Sequence, residues 1–244
     1  LPVMQERKKI WYALNDGESR AAADAIYEHY LPRSADGPLP ETDAGTVLSL
    51  AEKLDNLTAC FALDLAPTGS ADPYALRRQG QALLRMVVKS GTPIDLRGLL
   101  RATLELLREP HRNATDAVDR LLAFLQDRLF QMTLEDGAPH DLIRAALAAG
   151  WEDVVDFRRR VDALRRLSQE DCWPALVSAV ERTYNISKAA PPDAEPDPAL
   201  YQEEPERALG RIYAEHREAI AARYDKGDYV GGSVQFAEIF AGPL

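Results

Sequence analysis

An all-α protein built of two helical domains is what this sequence predicts, on three observations. Ala, Leu, Arg and Glu are abundant while Val and Ile are modest, a mixture that favours helix over sheet. Strict alternation of apolar with polar residues, the mark of a half-buried strand, is scarce. Apolar residues instead recur every three or four positions, as at Val47, Leu50, Leu54, Leu57 and Phe61, which places them on one face of a helix. With 244 residues, the chain is long enough for one large or two small apolar cores.

Taken in order, residues 3–14 and 18–30 read as two helices parted at Asn15-Asp16-Gly17, since Asn and Gly enter the left-handed region at low cost. In the second, Ala22, Ile26 and Tyr30 share a face and are expected to be buried. Residues 31–40 hold three prolines and a glycine, so they cannot be helical throughout. Thr42 or Asp43 then caps the helix that carries the 47–61 stripe.

The stretch 67–78 punctuates the chain. Pro67, Thr68, Gly69 and Ser70 cannot continue a helix, whereas Asp72 is a good N-cap and Pro73 suits a first helical position. A helix is therefore expected from Pro73 to about Lys89, with Leu76, Leu83, Leu84 and Val87 inward and Arg77, Arg78 and Arg85 outward. Two hydroxyls, a helix N-terminus and two adjacent guanidinium groups would then converge, a chemistry suited to phosphate. As plain local structure, the same residues make an interhelix loop with a good cap.

Ser90-Gly91-Thr92-Pro93 ends that helix. The next is expected over 96–107, with Leu99, Leu100, Thr103, Leu106 and Leu107 on its apolar face. A long helix runs from a cap at Asn113 or Thr115 through Leu134, carrying Val118, Leu121, Leu122, Leu125, Leu129 and Met132. Two more follow over 141–149 and 151–167, the latter with Val154, Phe157, Val161 and Leu164 as its stripe. Residues 189–202, rich in proline and acid, read as an exposed linker. Helices over 206–224, striped by Leu209, Ile212, Tyr213, His216, Ile220 and Tyr224, and over 229–240 complete the chain.

A formal net charge of −10 excludes indiscriminate nucleic-acid binding, DNA included, because counterion release from phosphates needs clustered Lys and Arg. The distribution is uneven. From Arg77 to Arg101 six basic residues (Arg77, Arg78, Arg85, Lys89, Arg97, Arg101) stand against one acid, Asp95, a local excess of +5. In the 151–167 helix Arg158, Arg159, Arg165 and Arg166 fall within one sector of about 120° beside the apolar stripe. That sector is either a solvated face balanced by Asp156 and Asp162 or a contact surface for RNA. Residues 193–206 carry acids and no Lys or Arg, so any RNA surface is expected away from them.

Cys60 and Cys172 both sit in apolar helical patterns, which argues against a disulfide or a Cys-based zinc site and fits a reducing cytoplasm. No apolar run reaches the roughly 18 residues of a membrane span, and Glu6, Arg7, Lys8 and Lys9 do not begin a secretory signal. A cytoplasmic protein without a membrane partner is the expectation. His29, His111, His140 and His216 show no i, i+4 pairing and no His-x-x-Glu-His pattern, so no metal site is expected. The absence of a phosphate-binding glycine loop, and of a nucleophile beside a base, predicts a chain with no catalytic residues and no cofactor of its own.

Several motifs together resemble one family. Tyr30-Leu31-Pro32-Arg33 with Leu39-Pro40, then Leu50-Ala51-Glu52-Lys53-Leu54-Asp55-Asn56-Leu57, then residues 67–78 come in the order and approximate spacing of the β subunit of bacterial glycyl-tRNA synthetase. Asp72-Pro73-Tyr74-Ala75-Leu76-Arg77-Arg78 is similar to a run in that family with Phe in place of Tyr. Asp162-Ala163-Leu164-Arg165, followed by Arg182-Thr183-Tyr184-Asn185-Ile186, is similar to the helical anticodon-binding domain shared by arginyl-tRNA synthetase and the glycyl β subunit. The resemblance covers nearly the whole chain. It implies a C-terminal piece of a longer subunit: the end of an HD-like helical domain over 1–66, a joint loop and connecting helices over 67–110, and an anticodon-binding domain over 111–244 that lacks its last helical part.

The same resemblance implies the function. The chain would bind tRNA during ATP-dependent attachment of glycine to its tRNA, with activation, ATP and Mg belonging to a separate α subunit. Its partners would be glycine-specific tRNA and that α subunit. Arg158, Arg159, Arg165, Arg166, Arg182, Asn185 and Lys188 would serve the anticodon side, and Thr68, Ser70, Arg77 and Arg78 the tRNA body or the interdomain joint. Three departures from the family pattern stand out. Glu52 replaces an Asp that would be the last metal ligand of an HD domain, Glu181 replaces a frequent Lys, and Glu6 to Lys9 replace a small apolar segment. A helical protein-interaction scaffold and an HD-type metal-dependent phosphohydrolase are the competing readings.

Overall fold

A computed structural model describes residues 2–107, 114–188 and 196–240, which form eleven α-helices and no strand beyond one isolated bridge. They are α1 (Pro2–Asn15), α2 (Arg20–Glu28), α3 (Asp43–Ala62), α4 (Leu76–Ser90), α5 (Leu96–Leu106), α6 (Ala114–Glu135), α7 (His140–Ala148), α8 (Val154–Leu167), α9 (Trp173–Ser187), α10 (Glu204–Asp225) and α11 (Tyr229–Phe240). The all-α expectation holds. His111, the cap expected at Asn113 or Thr115, residues 189–195 of the linker, and Glu6 and Arg7 fall outside the described side chains.

The chain divides into two compact units, Leu1–Arg158 and Arg159–Leu244, with the division inside α8. Within the first unit α6 packs on α3, α4 and α5, driven by a stripe of Leu121, Leu122, Leu125 and Leu129 that is almost wholly buried.

In the first unit α3 packs against α2, α4, α5 and α6. Leu54, Leu57 and Phe61 are buried as expected, and the Phe61 ring lies 5.3 Å from that of Phe124. Val47, at the start of the expected stripe, is 66% exposed, and the inward face carries Ser49, Lys53 and Thr58 instead. In α2 the buried residues are Ala23, Ala25 and Glu28, while Ala22, Ile26 and Tyr30 are half-buried. Leu106 projects into solvent at 80% exposure, against the expectation for α5.

The polar inward positions of α2 and α3 have a structural cause. Residues 31–42 have no regular structure, yet Leu31, Pro32, Gly37 and Pro40 are buried, so their peptide groups need partners. Side chains from three helices supply them. Ser49 Oγ donates to the Leu31 carbonyl at 2.7 Å, Lys89 Nζ to the Pro40 carbonyl at 2.7 Å, and the Arg85 guanidinium to the Ala35 carbonyl. The Glu28 carboxylate accepts from the Glu41 and Thr42 N–H groups, each at 3.1 Å, and from the Thr42 hydroxyl. Thr42 Oγ1 in turn accepts from the Gly45 N–H at 3.0 Å, which caps α3.

In the second unit α10 packs on α11 and α11 on α9. Of the stripe expected in α10 only Ile220 is buried; Leu209, Tyr213 and Tyr224 are exposed. The α11 helix runs through Gly231 and Gly232 as expected, and a Cβ at Gly232 would meet the Tyr224 ring at 3.2 Å.

A Cβ at Gly45 would lie 2.6 Å from the Glu28 Cβ and overlap its carboxylate. Gly45→Ala should therefore destabilise the protein by about 1–3 kcal/mol, whereas Val47→Ala on the exposed side should change it by less than about 0.5 kcal/mol. Urea unfolding of both variants checks this, and a Gly45→Ala midpoint equal to wild type would contradict the packing described.

Candidate nucleic-acid interface

The loop before α4 is built differently from its expected form. The helix begins at Leu76 and not at Pro73, because Pro73 and Tyr74 form a turn and Ala75 takes the left-handed conformation at φ 54°. Asp72 still caps, at longer range: its carboxylate accepts from the Leu76 N–H at 2.7 Å and the Arg77 N–H at 3.0 Å. Thr68 and Ala71 close the loop with reciprocal backbone bonds of 3.1 and 2.9 Å. Arg77 donates to the Gly69 carbonyl at 2.6 Å, so its guanidinium holds the loop shut. Thr68, Ser70 and Arg77 are thus brought together, with both hydroxyl residues exposed. Arg78 lines a separate cleft with Lys53.

Much of the basic excess between Arg77 and Arg101 is engaged inside the fold. Besides Arg77, the cations of Arg85 and Lys89 bind backbone carbonyls of the 31–40 segment. Arg97 donates to Glu152 at 2.8–3.0 Å and to Asp119 at 2.5 Å, and these bonds raise its already high pKa, that to Glu152 most of all.

The arginines of α8 divide into two kinds. Arg158 pairs with Asp136 at 2.7 Å, a partner from the end of α6 and not the Asp156 or Asp162 expected from the sequence. Arg159, Arg165 and Arg166 are exposed, and none has an ion-pair partner among the described residues. On α9, Arg182, Asn185 and Lys188 are exposed and share a sector of about 120°. Glu181 is exposed within that sector too, so the positive charge there is diluted.

No group of three or more His, Cys, Asp or Glu side chains close enough to hold a metal occurs among the described residues. His29 stacks on Tyr30 with ring centroids 3.8 Å apart, and His140 meets Phe130 edge-on at 5.1 Å. Sequence reasoning missed that His140-Asp141 is a His-Asp dipeptide; it lies at the exposed start of α7 and belongs to no such group. Cys60 and Cys172 are free thiols, and burial above all raises the pKa of Cys60.

Sequence reasoning also missed Lys53, whose side chain is 5% exposed. Its ammonium donates to Ser49 Oγ at 2.9 Å, to Glu52 at 3.2 Å and to the His29 carbonyl at 3.3 Å. Burial lowers its pKa, Glu52 works against that shift, and the positive charge of Arg78 adds to it. The available signal was a lysine placed four residues before Leu57 and four after Ser49, on the inward side of α3. Because the folded-state value is lowered, the unfolded chain holds the Lys53 proton to higher pH than the folded one. Wild-type stability should therefore rise relative to Lys53→Met as pH climbs from that lowered value towards the ordinary lysine value of about 10.4. Thermal melts of both proteins between about pH 7 and pH 10 test this, and parallel curves would contradict it.

Fold and site together define an all-α polypeptide that bears unpaired arginines on a helix face. Comparison with known proteins makes this specific. Residues 10–148 match the family described as glycyl-tRNA synthetase beta subunit, and the chain belongs to that family. It is 40% identical over 221 residues to the glycine–tRNA ligase beta subunit of Trichlorobacter lovleyi, covering 90% of this chain and 32% of that protein. It is 38% identical over 229 residues to that of Geobacter sulfurreducens, covering 93% of this chain and 33% of the relative. With Syntrophus aciditrophicus the figures are 34% over 229 residues, 93% and 33%. The chain spans about a third of the length of these curated relatives.

Proposed function

We propose that this chain is the tRNA-binding part of the β subunit of a glycine–tRNA ligase. In this reading the α subunit activates glycine with ATP and Mg, and the chain contributes recognition without catalytic residues. The observation that carries the proposal is the trio Arg159, Arg165 and Arg166. In a chain of net charge −10 carboxylates are plentiful, and the exposed Asp162 lies in the same sector of α8, yet none of these three guanidinium groups is ion-paired among the described residues. Exposed guanidinium groups suit phosphate oxygens and stack on unpaired bases, and the relatives' names support the tRNA as the RNA concerned. Arg182, Asn185 and Lys188 extend the same role to α9, and Thr68 and Ser70 remain available for the tRNA body.

Reversal of Arg165 and Arg166 to Glu should weaken binding of a glycine tRNA transcript at least about tenfold at low salt. The log–log salt slope should fall by about 0.7–0.9 for each phosphate that the variant no longer neutralises. Filter binding at several salt concentrations, with an anticodon-altered transcript alongside, measures both quantities. Wild-type affinity and slope in the reversed variant would overturn the assignment.

A further inference from the structure

The last two turns of α9 take no part in the core of the second unit. Residues 181–188 are exposed all round the helix, and the buried residue of α9 is Leu176, before them. Tyr184 stands there with 67% of its surface exposed. Its ring has no stacking or cation partner, and its hydroxyl no hydrogen bond, among the described residues. At about 100° per residue, Val177, Val180, Tyr184 and Lys188 fall within one sector of about 80°, and both valines are exposed as well. The ring therefore has an aliphatic step on its N-terminal side and, four residues on, an ammonium one turn away. The side chains of Arg182, Asn185 and Lys188 have no partner among the described residues, unlike the cations engaged inside the first unit. Glu181 is the one acid of these turns, against two cations, in a chain whose acids outnumber its bases by ten.

The neighbours of the ring decide what covers it. A protein helix laid along the stripe would also cover Glu181, Asn185 and Lys188, and would have to supply partners for two opposite charges and an amide. An unpaired base needs only the face of the ring. It stacks there while the charged groups stay in water, its edge can bond the Asn185 amide, and its backbone meets the two cations.

We infer that Tyr184 is a stacking platform for an unpaired RNA base, with Arg182 and Lys188 on the adjoining phosphates and Asn185 at the edge of the base. The inference rests on the tRNA-binding reading above and adds to it a residue that holds RNA through a ring instead of through charge.

Filter binding of a glycine tRNA transcript to the 244-residue chain as wild type, Tyr184→Phe and Tyr184→Ala tests it, with urea midpoints measured alongside. Loss of one base stack should weaken binding about tenfold in Tyr184→Ala and leave Tyr184→Phe within about twofold of wild type. The log–log salt slope should be the same in all three, because no phosphate contact is lost. Transcripts made abasic at one loop position at a time identify the base. At one position the abasic transcript should bind wild type about tenfold more weakly than the intact one, yet bind Tyr184→Ala as well as the intact one does. Wild-type affinity in Tyr184→Ala, or the same abasic losses in Tyr184→Ala as in wild type at every position, overturns the inference. So does a self-association, seen by sedimentation velocity in wild type and lost in Tyr184→Ala, with tRNA affinity unchanged, since the face would then belong to a second copy. Its failure is separable from that of the tRNA-binding reading. Salt-dependent wild-type binding that the Arg165 and Arg166 reversal weakens and Tyr184→Ala does not removes the stack alone, whereas a wild type with no affinity for the transcript removes both.

Discussion

Side-chain bonds to the peptide groups of residues 31–42 are the requirement around which the first unit is arranged. A buried stretch with three prolines cannot satisfy its own backbone, so Glu28, Ser49, Arg85 and Lys89 do so from α2, α3 and α4. Each of these bonds also fixes the relation between two helices. The exposure of Val47 follows, because the opposite side of α3 must carry Ser49 and Lys53 to the segment.

Two sets of cations differ in their surroundings. Arg77, Arg85, Lys89, Arg97 and Arg158 have partners within the first unit and contribute to its geometry. Arg159, Arg165, Arg166, Arg182 and Lys188 are exposed on α8 and α9. Counting charge along the sequence treats the two sets alike. Of these two sets it is the second that is placed to neutralise phosphates, more than the local excess of +5 would suggest.

Much of the fold was legible in the sequence because helical periodicity reports burial directly. Leu83, Leu84 and Val87 of α4, Leu121, Leu122, Leu125 and Leu129 of α6, and Val154, Phe157 and Val161 of α8 all lie inside as their spacing required. The errors arise where a polar group decides the outcome. Asp72 reaches past a left-handed Ala75, which delays α4 by three residues. Lys53 and Ser49 occupy inward positions because an irregular segment needs donors, and that need is a tertiary fact without a local pattern. Of the candidate site, the α8 arginines were legible from their sector alone, whereas the pairing of Arg158 with Asp136 required the end of α6 in place.

The proposed contact with RNA lies on the exposed cationic faces of α8 and α9 in the second unit. Photo-cross-linking of the chain to a glycine tRNA transcript, followed by mass spectrometric mapping of the linked peptides, tests it most directly. Cross-links are expected to concentrate in residues 154–167 and 173–188 and to be absent from the acidic residues 196–206. Cross-links confined to that acidic stretch, or spread evenly over the chain, would contradict it.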